Sequence, residues 1–306
     1  MRVSPGDLRV LLLVLAWALS IEVRADENAK TVRSEAGGQN RRDDIEETAI
    51  QKDMREQMET VKVSVAAGRD QEAEAVLYPK PVFRYTDVPR RIFDGTLWVW
   101  TVDGRPVAMQ KLEACSFRSR STPLERDKTW THCFTSLSTA LVKSRWPENA
   151  YESTAPGVNY KAIPKAPAPD VNGVRRKLQI RQLSRRFSAV SGRTDAQMIP
   201  MRMMPRPIFE FSAPDGTPAG AIFGLEANGT NPDMLIIISA MPDADGQLSW
   251  QFGVARMTDT GAKILLDDVE VHSSPTVPVY NKNEFENWTF FYKTRTLATP
   301  EESETD

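Results

Sequence analysis

Residues Asp94–Pro106 read DGTLWVWTVDGRP. Seven apolar or β-branched residues lie between two turn signals, and Asp103-Gly104 suits a tight hairpin, because Gly accepts the positive φ that primed turns require. The stretch predicts the centre of a β-rich module. Side chains alternate along a strand, so Trp98 and Trp100 share one face and Leu97 and Val99 the other.

A weaker copy follows at a spacing of 126 residues. PVFRY at Pro81 aligns with PIFEF at Pro207, and GTLWVW at Gly95 with GAIFGL at Gly220 after a one-residue deletion. DGRP then aligns with NGTNP, so that Pro106 meets Pro232. Both following strands end in Ala, at Ala114 and Ala240, and each is followed by a strand led by Trp130 or Trp250. Matching positions are mostly turns and alternating apolar sites, so duplication competes with convergence of two β-meanders. The expected fold is α+β: two similar units, each one helix plus an antiparallel β-meander of five or six strands.

Short strands separated by turn signals are predicted near 81–86, 96–102, 106–114, 129–138, 140–145 and 158–163. In the second half they are predicted near 206–212, 220–226, 233–241, 248–257, 263–272 and 288–294. MLIIIS at Met234–Ser239 is apolar at every position, as expected of a strand covered on both faces. From Asp43, the recurrence of Ile50, Met54, Met58, Val61 and Val65 predicts a helix with its Met pair in the core, and acidic residues in its first turns favour the helix dipole. Residues 164–170 (PKAPAPD) hold three prolines, which remove donors and fix φ, so they read as a linker. Val171–Val190 reads as a second helix. Ile180, Leu183, Phe187 and Val190 lie on one face and Val174 and Leu178 on the other, predicting a helix wedged between two surfaces.

The N-terminus reads as a leader. Arg2 and Arg9 precede an apolar run from Val10 to Ser20, followed by Val23-Arg24-Ala25. A membrane span needs roughly 20 apolar residues, and this run is shorter. The expected division is a signal peptide over 1–25 cleaved near Ala25, a disordered polar segment over 26–42, unit 1 over 43–163, the linker over 164–170, unit 2 over 171–294 and an acidic disordered tail over 295–306. The protein is thus expected to be exported, to the periplasm or beyond, with no transmembrane segment after cleavage.

The chain carries 39 basic and 41 acidic residues, a net charge of −2, and loss of the leader (Arg2, Arg9 and Arg24 against Asp7 and Glu22) takes it to −3. That balance gives no global attraction to nucleic acid or anionic membrane. Only two histidines exist, His132 and His272, and no Cys/His spacing resembles a zinc site. The sequence contains no G-x-S-x-G, phosphate-binding glycine loop or H-E-x-x-H. No catalytic residue, metal ligand or cofactor is therefore assigned. Asp94, Asp103, Asp215 and Asp233 fall in turns, where short polar side chains bond their own backbone, yet a carboxylate-pair hydrolase needs no linear motif.

Three features admit two readings each. Trp98 and Trp100 suit an aromatic platform or a core. Burying one Trp removes about 150–250 Å² from water, worth up to roughly 4–6 kcal/mol, and the second copy keeps apolar Phe223 and Leu225 there, which favours the core. Cys115 and Cys133 flank one loop, where a disulfide would contribute roughly 3 kcal/mol, against two buried free thiols. Arg175, Arg176, Lys177, Arg181, Arg185 and Arg186 form a candidate partner surface, against pairing with acidic groups of the same chain. Asn228-Gly229-Thr230 and Asn287-Trp288-Thr289 match the glycosylation acceptor pattern, relevant only in a glycosylating host.

As a set, DGTLWVWTVDGRP, FTSLS, APGVNYKAIPKAPAP, RRFSA, MMPRPIFEF and GTNPDML resemble phrases of a family of uncharacterised exported proteins from planctomycete-type bacteria. The resemblance spans roughly Pro81 to Glu270 and implies bacterial origin and export. No activity is assigned to that family, so it carries over no catalytic residue. The sequence favours an exported non-enzymatic binding or structural protein whose partner is another protein, a cell-surface polymer or a second copy of the chain. The alternative is a motif-poor extracytoplasmic hydrolase acting on a polymer through turn carboxylates. Either function is expected in the loops and the groove between the two units.

Overall fold

Leu97 and Val99 point into one hydrophobic core while Trp98 and Trp100 point into another, and this alternation sets the layering of the molecule. The computed structural model of the chain describes residues 48–68, 71–115, 127–213, 216–278 and 282–296. The expected leader, the polar segment after it and most of the acidic tail lie outside the described residues.

The first half opens with helix α1 (Ala49–Glu59), followed by β1 (Lys62–Gly68), β2 (Gln71–Leu77), β3 (Phe83–Asp87), β4 (Ile92–Val102), β5 (Arg105–Cys115), β6 (Asp127–Ser136), β7 (Val142–Trp146), β8 (Asn149–Glu152) and the two-residue β9 (Lys161–Ala162). The second half opens with α2 (Gly173–Ser184) and continues through β10 (Phe187–Gly192), β11 (Ile199–Pro200), β12 (Arg202–Met203), β13 (Phe209–Ser212), β14 (Pro218–Glu226), β15 (Met234–Pro242) and β16 (Leu248–Arg256). It closes with β17 (Gly261–Leu266), β18 (Val269–Ser274), β19 (Lys282–Glu284) and β20 (Trp288–Thr296). The fold is α+β, with every paired strand antiparallel.

Two sheets face each other. One is built on β3-β4-β5-β6 with β20 added beside β6, and the other on β13-β14-β15-β16 with β9 beside β16. Their inner faces share a core that includes Leu97, Val99 and Met109 from one sheet and Ile222, Leu235 and Ile237 from the other. The outer face of the first sheet carries Trp98, Trp100, Trp130 and Phe134 against Met54 and Met58 of α1 and the strands β1, β7 and β8. The outer face of the second carries Phe223, Ile236, Ile238 and Trp250 against Ile180 and Leu183 of α2 and against β10 and β17. The apolar run Met234–Ile238 lies buried between two layers with Ser239 beside it, so both faces of the strand are dry. Trp98 and Trp100 are core residues, and the aromatic-platform reading does not apply to them.

Several boundaries differ from expectation. Helix α1 ends at Glu59, and Val61, Val63 and Val65 alternate inward along or just ahead of β1, so the four-residue spacing of Val61 and Val65 belongs to a strand. Helix α2 ends at Ser184, and Phe187 and Val190 lie on β10. Its start is fixed by Asn172, whose side chain accepts from the amides of Val174 and Arg175, an N-cap. Val174 and Leu178 are exposed, so α2 packs by one face and is not wedged. The segment predicted over 263–272 is a hairpin whose turn, Asp267-Asp268, takes positive φ at both residues. The strand predicted over 158–163 reduces to Lys161–Ala162.

Candidate functional site

The inner face of β5 should be apolar, since it faces the central core, but after Met109 it presents Lys111 and Glu113 before returning to Cys115. Both charged residues are buried, 2% and 6% exposed. Period two along the strand puts them on one face, with Cα atoms roughly 7 Å apart. Their cross-strand neighbours on β6 are Cys133 and Thr131, and on β4 Leu97 and Gly95.

Gly95 decides how Glu113 is held. A Cβ at Gly95 would lie 2.6 Å from the Tyr85 ring, so only glycine lets that ring lie across β4. The Tyr85 hydroxyl then donates to Glu113 Oε1 at 2.6 Å. The same oxygen accepts from Asn231 Nδ2 at 3.0 Å, which comes from the turn between β14 and β15. That turn is held to β3 by Thr230, whose hydroxyl donates to the Thr86 carbonyl at 3.0 Å. Asn231 is 4% exposed, and its buried Oδ1 has no hydrogen-bond partner among the described residues. Lys111 Nζ donates to the Met257 carbonyl at 2.8 Å.

Arg90 closes one side of the site. It grips Asp233 with two bonds of 2.9 and 3.1 Å and lies 3.4 Å from Asp87 Oδ2. Burial alone would depress the guanidinium's pKa, but Asp233, Asp87 and Glu113 outweigh it and raise the value. Asp233 also accepts from the Ala227 amide at 3.1 Å. Arg193 and Asp259 pair at the rim, 3.3 Å apart. Arg256 pins the loop after β16 by donating to the carbonyls of Thr258, Thr260 and Pro275, with its guanidinium 5.0 Å from the Trp288 ring centre. Arg90, Asp233, Asn231, Lys111, Glu113 and the Arg193–Asp259 pair line a partly open cavity of about 300 Å³ whose walls include Ile92, Phe290 and Tyr292, at the lower end of the range of small-ligand sites.

Cys115 and Cys133 also line this cavity, but not as a pair. Cys115 sits opposite Thr129 and Cys133 opposite Lys111. They are thus four ladder positions apart, roughly 13 Å, whereas a disulfide needs Cα atoms within about 7 Å. Both are free, so of the two readings that register overturns the disulfide and leaves two buried thiols. Burial pushes both thiols up to about 12, so neither is a thiolate near neutral pH.

The basic residues of α2 do not form one surface. Lys177 pairs with Glu210, Arg175 with Asp170 and Arg186 with Asp267, while Arg176 is buried with its Nε on the Asp170 carbonyl. Among the described residues, only Arg181 and Arg185 of the six have no bonded partner. Of the carboxylates expected in turns, Asp94 lies instead within β4, buried and held by Arg84, Asp103 is an exposed turn residue with φ of 50°, Asp233 lies in the cavity, and Asp215 lies outside the described residues. Lys111, Glu113, Arg90 and Asn231 were not singled out in the sequence. The available signal was two charges inside a strand whose neighbours are apolar.

Two other depressions are less enclosed by charge. A groove of about 760 Å³ runs past His272, Phe285 and Trp288, with exposed Glu152, Glu284 and Glu286 along it. Another, of about 310 Å³, contains His132, Trp146 and Phe291. Among the described residues no group of three His, Cys, Asp or Glu side chains is placed to hold a metal ion, and no helix is long and apolar enough to cross a membrane. No family model, curated protein or solved structure matches the chain.

Proposed function

We propose that this is an exported, non-enzymatic binding protein that takes a small polar ligand in the cavity between its two sheets. The observation that carries the reading is the pair Lys111 and Glu113, two buried charges in one cavity, each bonded, among the described residues, only to neutral groups. A buried charge is costly unless paired, and a ligand supplies what the fold leaves out. Export rests on the leader-like segment 1–25 and on the resemblance to exported bacterial proteins.

The reading includes a chain of two similar units, and several contacts support it at matching positions. The amides of Tyr78 and Met204 donate to the carbonyls of Val99 and Gly224, and those of Val82 and Ile208 to Leu97 and Ile222, all within 2.7–2.9 Å. A Cβ at Gly95 would strike the Tyr85 ring and one at Gly220 the Phe211 ring. Asn231 bonds Glu113 where Arg105 bonds Ser239. The binding cavity then falls between the units, with β5 and β6 on one side and the loops bearing Asn231, Asp233 and Met257 on the other.

The hydrolase reading draws on the convergence of Glu113 and Asp233 in one cavity. Against it, Asp233 is clamped by Arg90 and Glu113 is held by two donors on one oxygen. Thermal-shift titration of the full chain with a panel of amino acids, monosaccharides, dicarboxylates and nucleotides tests binding. Saturable stabilisation by one class, absent in Lys111→Met, is expected. Turnover of a chromogenic glycoside or ester that vanishes in Glu113→Gln would overturn the non-enzymatic reading.

A further inference from the structure

Resting on the binding reading above, we infer that the ligand is a free amino acid with an uncharged side chain, bound as a zwitterion between Lys111 and Glu113. Six charged residues line the cavity. Arg90 is closed on Asp233 and Arg193 on Asp259. Glu113 lies in the field of Arg90, but among the described residues neither it nor Lys111 is closed in an ion pair, which leaves one positive and one negative group to meet a ligand. The lining is therefore neutral as a whole, which disfavours phosphates and polycarboxylates and favours a ligand with separated charges of its own.

The hydrogen-bond inventory assigns the ends. Lys111 has three donors and one is taken by the Met257 carbonyl, so it has donors to offer a carboxylate. Glu113 Oε1 is already occupied, and among the described residues no hydrogen bond reaches its Oε2. Asn231 commits its amide nitrogen to Glu113 and its own Oδ1 is enclosed by protein, so the acceptor left to a ligand is Glu113 Oε2. An ammonium group, with three donors and a positive charge, satisfies that oxygen and neutralises the carboxylate. A sugar hydroxyl gives it one donor and leaves both protein charges unneutralised.

The remaining wall gives the side-chain class. Ile92, Phe290 and Tyr292 present apolar surface to the same cavity, and no further charge is open to meet an acidic or basic side chain. A volume of about 300 Å³ suits a residue of aliphatic or methionine size.

The experiment is a thermal-shift and calorimetric titration of the full chain with L-leucine, L-methionine, N-acetyl-L-leucine, L-leucinamide and glucose. The free amino acids are expected to bind saturably, and removal of either charge of the ligand is expected to weaken binding at least about tenfold. Lys111→Met and Glu113→Gln, checked for folding by circular dichroism, should each lose the response. The derivative series on the unaltered protein keeps the test valid if a variant misfolds. Equal binding of the acetylated or amidated compounds, or no binding of any free amino acid, overturns the inference. Binding of glucose alone, lost in Lys111→Met, would overturn the ligand class while leaving the cavity as a binding site.

Discussion

The hydroxyl of Tyr85 reaches Glu113 at 2.6 Å by crossing a strand position that has no side chain. That contact links the packing of the central sheet to the charge of the cavity, since the ring is also part of the inner core. Tyr85→Phe keeps the ring and removes the donor. It is expected to cost about 1.5–3 kcal/mol, the range for a hydrogen bond to a charged group, read as a lower midpoint in urea denaturation.

Gly95→Ala attacks the same contact from the strand side. Its Cβ would lie 2.6 Å from the Tyr85 ring, and at Gly220 the equivalent atom would lie 2.3 Å from the Phe211 ring and 2.4 Å from the Ile238 carbonyl oxygen. A ring can shift more readily than a strand backbone, so Gly220→Ala is expected to be the more damaging. Overpacking typically costs about 1–3 kcal/mol, and paired urea melts of the two variants check the order.

Lys111→Met separates a structural from a ligand-binding role. Removing one buried charge held only by a carbonyl should change the stability of the free protein little, between a loss of about 1 and a gain of about 2 kcal/mol. Were Lys111 half of an internal ion pair, the same change would strand a buried carboxylate and cost about 3–5 kcal/mol. Chemical denaturation without added ligand distinguishes the two.

His132 makes the fold acid-sensitive. Its ring stacks on Phe291, 4.5 Å between centres, and its Nδ1 lies 2.9 Å from Gln110 Nε2, where the amide donates to a neutral ring. Burial first, and then the charge of Lys293, pull its pKa from 6.5 down to about 3. A depressed folded value means that the unfolded chain takes up the proton more readily. The stabilisation is thus complete above pH 6.5 and lost as pH falls toward 3. At pH 4.5 the loss amounts to about 2–3 kcal/mol. Denaturation midpoints at pH 7 and pH 4.5 should differ by that amount more in the unaltered protein than in His132→Leu.

The two cysteines give a chemical check on strand register. With Cys115 opposite Thr129 and Cys133 opposite Lys111, both thiols stay reduced. A thiol reagent should find two equivalents in denaturant and react far more slowly with the native protein, in which both are buried. An absence of reactive thiols in the denatured protein would contradict the β5–β6 register.

Much of the sheet architecture was legible because strand periodicity is strong where the faces differ. Leu97 and Val99 against Trp98 and Trp100 is such a case, and Met234–Ile238 declares itself by being apolar throughout. The helix ends were harder. Val61 and Val65, four apart, satisfy a helical stripe as well as a strand in which Val63 completes the alternation. Phe187 likewise continues the stripe of α2 while beginning the inward positions of β10. The cavity was not legible. Lys111 and Glu113 look like ordinary strand residues until Asn231 and Met257, more than a hundred positions away in sequence, are brought against them.

The most direct test of the account is a crystal structure of the full chain grown with the free amino acid that stabilises it most. The ligand is expected in the inter-sheet cavity, with its carboxylate on Lys111 Nζ and its amino group on Glu113. An empty cavity, with the amino acid lodged instead in the groove beside Trp288 and His272, would contradict it.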